Sequence, residues 1–168
     1  TDLFGYFQSE KYFKHIEDAI RENYEFKDEI VEKAQTVKSN LDAEKTVSLH
    51  VRRGDYLQLS HVHPTPEVSY YDEAMTHFDG HTPIVFSDDI AWCKENLSHM
   101  NPIFMDGNDV YTDMCLMSMC DGHIIANSSF SWWGAWLGKG KTVAPKRWFG
   151  ESGPQDWSDI YCEGWITC

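Results

Sequence analysis

Residues 83–97 read PIVFSDDIAWCKENL. The first five are a short apolar run closed by Ser87, which has the length and bounds of a strand. Asp88 and Asp89 follow, and acidic residues suit the positive first turn of a helix. The segment predicts a strand over 83–87 that turns directly into a helix over 88–97.

The same unit recurs on either side. Downstream, PIFM (102–105) predicts a strand, and DVYTDMCLMSMC (109–120) a buried helix. HIIA (123–126) predicts the next strand, ANSSFSWWGAWLG (126–138) runs into a helix, and TVAP (142–145) is a last strand. Upstream, TVSLHV (46–51) is a β-branched run read as a buried strand. A polar loop, RRGDYLQLSHVHPTP (52–66), leads from it to a helix over 67–78. Two amphipathic helices come first, with Phe13, Ile16, Ile20 and Tyr24 on one face and Ile30, Ala34, Val37 and Leu41 on the other's. No internal repeat interrupts the series. Alternation of this kind predicts a Rossmann-like parallel sheet with helices on both faces. In such sheets ligands bind beyond the carboxyl ends of the strands. The residues to inspect are HVRRGDY, SDD, DGND, NSSFS and PKRW.

Composition limits the partners. The chain has 168 residues, enough for one domain with a core, and is ordinary in being 42% hydrophobic and 24% charged. No apolar stretch approaches the length of a membrane span. Asp and Glu outnumber Lys and Arg by 27 to 14, a net charge of −13, which argues against a nucleic-acid partner. It also makes adjacent arginines informative. The five cysteines form no CxxC pair and read as reduced, small core residues. The chain opens on TDLFGYFQSEKYF, which reads as the interior of a longer folded protein.

Three strand ends carry the candidate chemistry. His50 and Arg52 share a face of their strand, and Arg53 starts the loop with Gly54 behind it. An arginine pair at a ligand edge matches phosphate oxygens, and Asp55 beside it equally suits a surface ion pair. In SDD, either Ser87 or Asp88 caps the helix with Asp89 in its first turn, or one of the carboxylates of Asp88 and Asp89 accepts from the N1–H and amine of guanine. In NSSFS, the helix start with Asn127, Ser128, Ser129 and Phe130 is either an ordinary serine cap or a phosphate cradle. Trp132, Trp133 and Trp136 read as core packing that fixes this helix end. His50, His61 and His63 lack a metal-ligand pattern, so no metal is expected. Two glycosylation acceptor matches, at Asn96 and Asn127, read as chance.

Taken together, HVRRGDY, FSDD and ANSSFSWWGAWLG resemble the motifs of the α-1,2-fucosyltransferases, glycosyltransferase family 11. GYFQSEKYF near the start and PKRWFG with SDIYCEGW near the end resemble its lesser signatures. The resemblance implies a GT-B architecture, of which this chain would be the C-terminal half. Residues 1–45 would be a helical remnant of the N-terminal half with its linker, and 46–168 the GDP-fucose-binding domain. A Gly-rich segment typical of the first half is missing. The resemblance also implies transfer of fucose from GDP-fucose to the 2-hydroxyl of a terminal galactose, inverting and without a metal or other cofactor. Carried over by motif, Arg53 would contact the pyrophosphate, His50 and Arg52 would shape the pocket, and Asp88 or Asp89 would read guanine. Asn127, Ser128, Ser129 and Phe130 would line the phosphates. Asp55 is the nearest carboxylate for catalysis, or else a support for an arginine. The other readings are a GDP-sugar-binding module without turnover and another GDP-fucose enzyme of the protein O-fucosyltransferase kind. The expected setting is a bacterial cytoplasm, with peripheral association at the inner membrane face, or a Golgi lumen if an anchor precedes Thr1.

Overall fold

The computed structural model describes residues 8–168. The Gly5–Phe7 part of the first lesser signature therefore lies outside the described residues. Six parallel strands form one sheet: β1 (Thr46–Val51), β2 (Thr82–Ser87), β3 (Ile103–Phe104), β4 (Gly122–Ile124), β5 (Lys141–Ala144) and β6 (Ile166–Thr167). Their order is β3-β2-β1-β4-β5-β6. The strand order reverses between β1 and β4, so a crevice opens at their carboxyl ends. β1 runs in register with β2, from Thr46 opposite Thr82 to Val51 opposite Ser87.

Alternation along the strands decides the two faces. Val47, Leu49, Val51 and Val85 point to one side, where α3 (Val68–Met75) and α4 (Ile90–Asn96) bury Tyr70, Tyr71, Ala74, Cys93 and Leu97. Ile84 and Phe86 point to the other, against α5 (Val110–Ser118) and Ala34 of α2 (Asp28–Ser39). The third cluster forms around α6 (Ser129–Gly138), with Trp132, Trp136, Trp148 and Ile160. Phe13 and Ile20 of the N-terminal segment pack on this last cluster, Ile20 from α1 (Glu17–Asn23). Residues before 46 thus share cores with the sheet.

The expected helices and strands are present, with shifts that have local causes. The helix expected from residue 88 starts at Ile90, because Asp89 is its N-cap, accepting from the Trp92 N–H. The helix face expected over 12–26 opens with two 3-10 turns, and Ile16 and Tyr24 stay exposed. β6 was not expected: two residues are too few to show a period. It is held by β5, with Val143 opposite Ile166.

The tryptophans of α6 divide by depth. Trp132 and Trp136 are buried, and Trp132 donates from Nε1 to the Ile160 carbonyl at 2.7 Å. Trp133 is half-buried and stacks on Phe13 and Tyr24, with ring centroids 5.7 and 4.9 Å apart. Trp132→Ala should lower stability by about 3–5 kcal/mol, the usual range for a large aromatic removed from a core. Trp133→Ala should lose about 0.5–1.5 kcal/mol of aromatic pairing and the modest burial of one face. Urea unfolding midpoints at unchanged slope check both values.

Candidate functional site

The reversal point gathers the expected residues. Arg52 and Arg53 leave β1, Asp88 and Asp89 leave β2, and Asn127 to Phe130 lead from β4 into α6. Asp88 joins the first two groups. One of its oxygens accepts the Arg53 backbone N–H at 2.9 Å, and the other meets Arg52 Nη1 at 3.1 Å. Gly54 permits this approach, since a Cβ there would stand 2.5 Å from Asp88 Oδ2.

Arg52 is held a second time, by Asp55 Oδ1 at 2.7 Å from its Nη2. The surface ion pair and the strand-end arginine are therefore the same feature. Arg53 donates from Nε to Asp89 Oδ2 at 3.2 Å, and its guanidinium carbon lies 4.2 Å from the centre of the Trp92 ring. Asp89 caps α4 with its other oxygen. Neither terminal nitrogen of Arg53 has a partner among the described residues. Three carboxylates surround two guanidiniums, so local charge alone does not attract an anion here. An anion would be recognised by directed donors.

His50 is buried, and its ring lies 5.5 Å from Phe130. Burial, aided by the Arg52 charge, pulls its pKa down to about 3, so it is neutral at pH 7. Its Nδ1 has no hydrogen-bond partner among the described residues. Further down the sheet, His123 is also buried, and its Nδ1 lies 2.9 Å from Ser48 Oγ. Burial lowers its pKa to about 4, partly opposed by Asp121.

The start of α6 separates its polar residues. Asn127 is buried, with Nδ2 donating to the Trp148 carbonyl at 2.8 Å and Oδ1 unpaired. Its side chain serves the loop after β5 as a tie, and it offers no surface to a glycan. Ser128 is the N-cap, accepting from the Phe130 N–H at 3.3 Å. Ser131 turns inward to the Ala126 and Ser128 carbonyls. Ser129 is exposed at the first position of the helix. Of the polar side chains at this helix start, it is the one presented to solvent.

Four residues have roles that the sequence did not assign, although Tyr56 ends HVRRGDY and Trp148 ends PKRW. Tyr56 donates to the Asn127 carbonyl at 3.2 Å and bridges the β1 and β4 loops. Tyr70 donates to the Ile125 and Val143 carbonyls from beneath the crevice. Trp92 supports Arg53, and Trp148 receives Asn127. Of the two outside those stretches, Tyr70 and Trp92, the latter carried a readable signal, its place three residues after Asp89. Among the described residues, no group of three or more His, Cys, Asp or Glu side chains is arranged to hold a metal. All five cysteines are free thiols. No helix of the described residues is long and apolar enough to cross a membrane.

A family model described as glycosyl transferase family 11 matches residues 1–168. The chain belongs to this family. Among its relatives is an alpha-1,2-colitosyltransferase of Escherichia coli, 37% identical over 89% of this family 11 chain and 56% of the relative. The O-antigen biosynthesis glycosyltransferase WbnK of Escherichia coli is 31% identical over 98% of the chain and 60% of its own length. Human galactoside alpha-(1,2)-fucosyltransferase 1 is 31% identical over 84% and 44%. The chain thus spans about half the length of the curated relatives it matches. In fold it is similar to a crystal structure of POFUT1 in complex with GDP-fucose, with a TM-score of 0.54 at 16% identity, over 70% of this chain and 45% of that one.

The two buried histidines of this family 11 chain make stability depend on pH. Unfolded, each titrates near 6.5; folded, they stay neutral down to about 3 and about 4. The unfolded state therefore binds more protons across this window, and stability falls as pH drops from about 6.5 towards 3. Removing one histidine should reduce the slope of unfolding free energy against pH by up to one proton, about 1.4 kcal/mol per pH unit. Denaturation of a His123→Gln variant between pH 6.5 and 4 checks this.

Proposed function

We propose that the protein transfers L-fucose from GDP-fucose to the 2-hydroxyl of a terminal galactose in a glycan. Two observations support this: the terminal nitrogens of Arg53 have no partner among the described residues, and the start of α6 is exposed at Ser129, on the loops that follow β1 and β4. A diphosphate fits between a guanidinium fork and a helix N-terminus. The names of the relatives support the linkage and a deoxyhexose donor. The POFUT1 complex with GDP-fucose supports the donor by analogy of fold. Asp88 and Asp89 lie at the β2 end, where a guanine edge would find carboxylates.

In the reaction, the acceptor oxygen attacks the anomeric carbon from the face opposite the nucleotide. The bond from that carbon to the β-phosphate oxygen breaks, and its electron pair leaves with GDP. The acceptor hydroxyl gives its proton, through solvent water, to the departing GDP, and the anomeric configuration inverts. Negative charge grows on the β-phosphate as the bond breaks. Donors already aimed at it bind the transition state more strongly than the ground state. Arg53 suits this role because Asp89 and Trp92 hold it still before substrate arrives. Arg52, fastened by Asp55 and Asp88, shapes the loop and adds charge at longer range. Asp55 serves as the holder of Arg52. His50 contributes shape, since it carries no charge at pH 7. These donors supply the charge stabilisation that a metal gives other transferases, so the reaction is proposed to need none.

A second reading rests on the relative named a colitosyltransferase: the donor sugar would be a colitosyl group on the same diphosphate site. Turnover with the two donors in competition separates the readings.

In the full chain, Arg53→Ala should lower the catalytic rate about 10²–10³-fold, as loss of a charge-stabilising donor does. Arg53→Lys should recover little, because a lysine lacks the planar group that lies on Trp92. Asp55→Asn should lower it less than about tenfold, whereas loss of a general base would cost about 10²–10⁴-fold. Turnover should persist in excess EDTA. Near-normal rates for Arg53→Ala would remove the assignment.

A further inference from the structure

Beside the start of α6 lies a cavity of about 210 Å³. Ser129, Trp132, Trp133 and Trp148 line it, with Phe13 and Ser9 closing it from the N-terminal segment. Its volume falls below the roughly 300–1,000 Å³ of pockets that take drug-sized ligands, so one ring fits and a nucleotide does not. Half of its eight lining residues are aromatic, and Gln8, Ser9 and Ser129 add polar groups. Trp132 offers ring faces alone, because its N–H is spent on the Ile160 carbonyl. Trp148 differs: its residue is 2% exposed and lines the cavity, and its indole N–H, which makes no hydrogen bond to a described residue, is not one of the sealed unpaired atoms of the core. It is a donor still available to a ligand.

We propose that this cavity holds the hexose ring of the donor, with the methyl-bearing C6 against the indole faces of Trp132 and Trp133. The proposal rests on the diphosphate site described above. Ser129 belongs to both places, so a diphosphate at the helix start puts its sugar one residue from the cavity. The donor then lies along the carboxyl edge in spatial order: base at the β2 end, diphosphate between β1 and α6, sugar between α6 and the loop after β5. The Trp148 N–H and the Ser129 hydroxyl meet ring hydroxyls. The aromatic wall selects the deoxygenated carbon, since a hydroxyl buried there without a partner loses its water for nothing. Asn127 couples the two parts, because it binds the Trp148 carbonyl from the loop that starts α6.

The test uses three probes on the full chain by calorimetry: GDP, GDP-fucose and GDP-L-galactose, which is GDP-fucose with a hydroxyl at C6. Wild-type protein should favour GDP-fucose over GDP-L-galactose by about 10–10²-fold. Trp133→Ala opens the wall to water and should cut that preference to less than threefold, with GDP affinity unchanged. Trp148→Phe keeps the ring and removes the donor; it should weaken GDP-fucose about 2–10-fold while sparing GDP. Unchanged GDP affinity also certifies that each variant is folded. If GDP binds and both variants keep the full preference for the deoxysugar, the sugar lies elsewhere and the proposal fails. If wild-type protein binds GDP but does not discriminate at C6, it fails as well. If GDP itself does not bind, the diphosphate reading fails and carries this one with it.

Discussion

Asp88 holds the site together. One carboxylate fastens the backbone of Arg53 with one oxygen and the side chain of Arg52 with the other, across the ends of neighbouring strands. β1 and β2 run in register, so their last residues, Val51 and Ser87, stand side by side and the following loops must meet. The meeting is tight enough that residue 54 has no room for a side-chain carbon. Asp89 then takes Arg53 and the start of α4 together. Two consecutive aspartates thus convert a pair of flexible arginines into a fixed fork. The cost is charge: the fork is bought with three carboxylates, and the cluster is left with a small negative excess.

That arrangement explains which parts of the site could be read from the sequence. The strands that matter were legible because they are apolar runs followed at once by polar residues, and the loops at the reversal point followed from the order of elements. The places of the candidate residues were legible for the same reason, since strand ends are few. Their division of labour was not. Asp88 and Asp89 were open between capping and ligand reading, and the structure gives Asp89 a cap and an arginine at once. Asn127 reads as one of several polar groups at a helix start, yet it faces inward because the Trp148 carbonyl comes from a loop 21 residues later. Contacts of that span leave no local pattern. The same holds for Tyr56, whose hydroxyl crosses to the Asn127 carbonyl, and for β6, which exists because β5 has an edge to cover.

The central strand shows how the polar edge is built. Val47, Leu49 and Val51 fill the core on one side of β1, while Thr46, Ser48 and His50 are buried on the other. Thr46 is satisfied by Asp121, and Ser48 by His123. His50, nearest the crevice, is left with an unpaired ring nitrogen. Polar pairing along the strand therefore ends where the ligand edge begins.

Among the described residues, the buried side-chain atoms without partners belong to His50, His63, Tyr71, His123 and Asn127. His63 stacks on Tyr56 in the loop after β1, and Tyr71 of α3 is fully buried in the core, where burial and then Cys93 raise its hydroxyl pKa. His123 lies apart, with Nε2 beneath Gly138 and Gly140. Folded chains pair nearly all of their buried polar atoms, because each one left over costs about 1–3 kcal/mol. His50 lies at the end of β1, His63 in the loop after it, and Asn127 precedes α6. These atoms are buried, so leaving them unpaired is a cost set by the same packing that fixes the loops at the ends of β1 and β4.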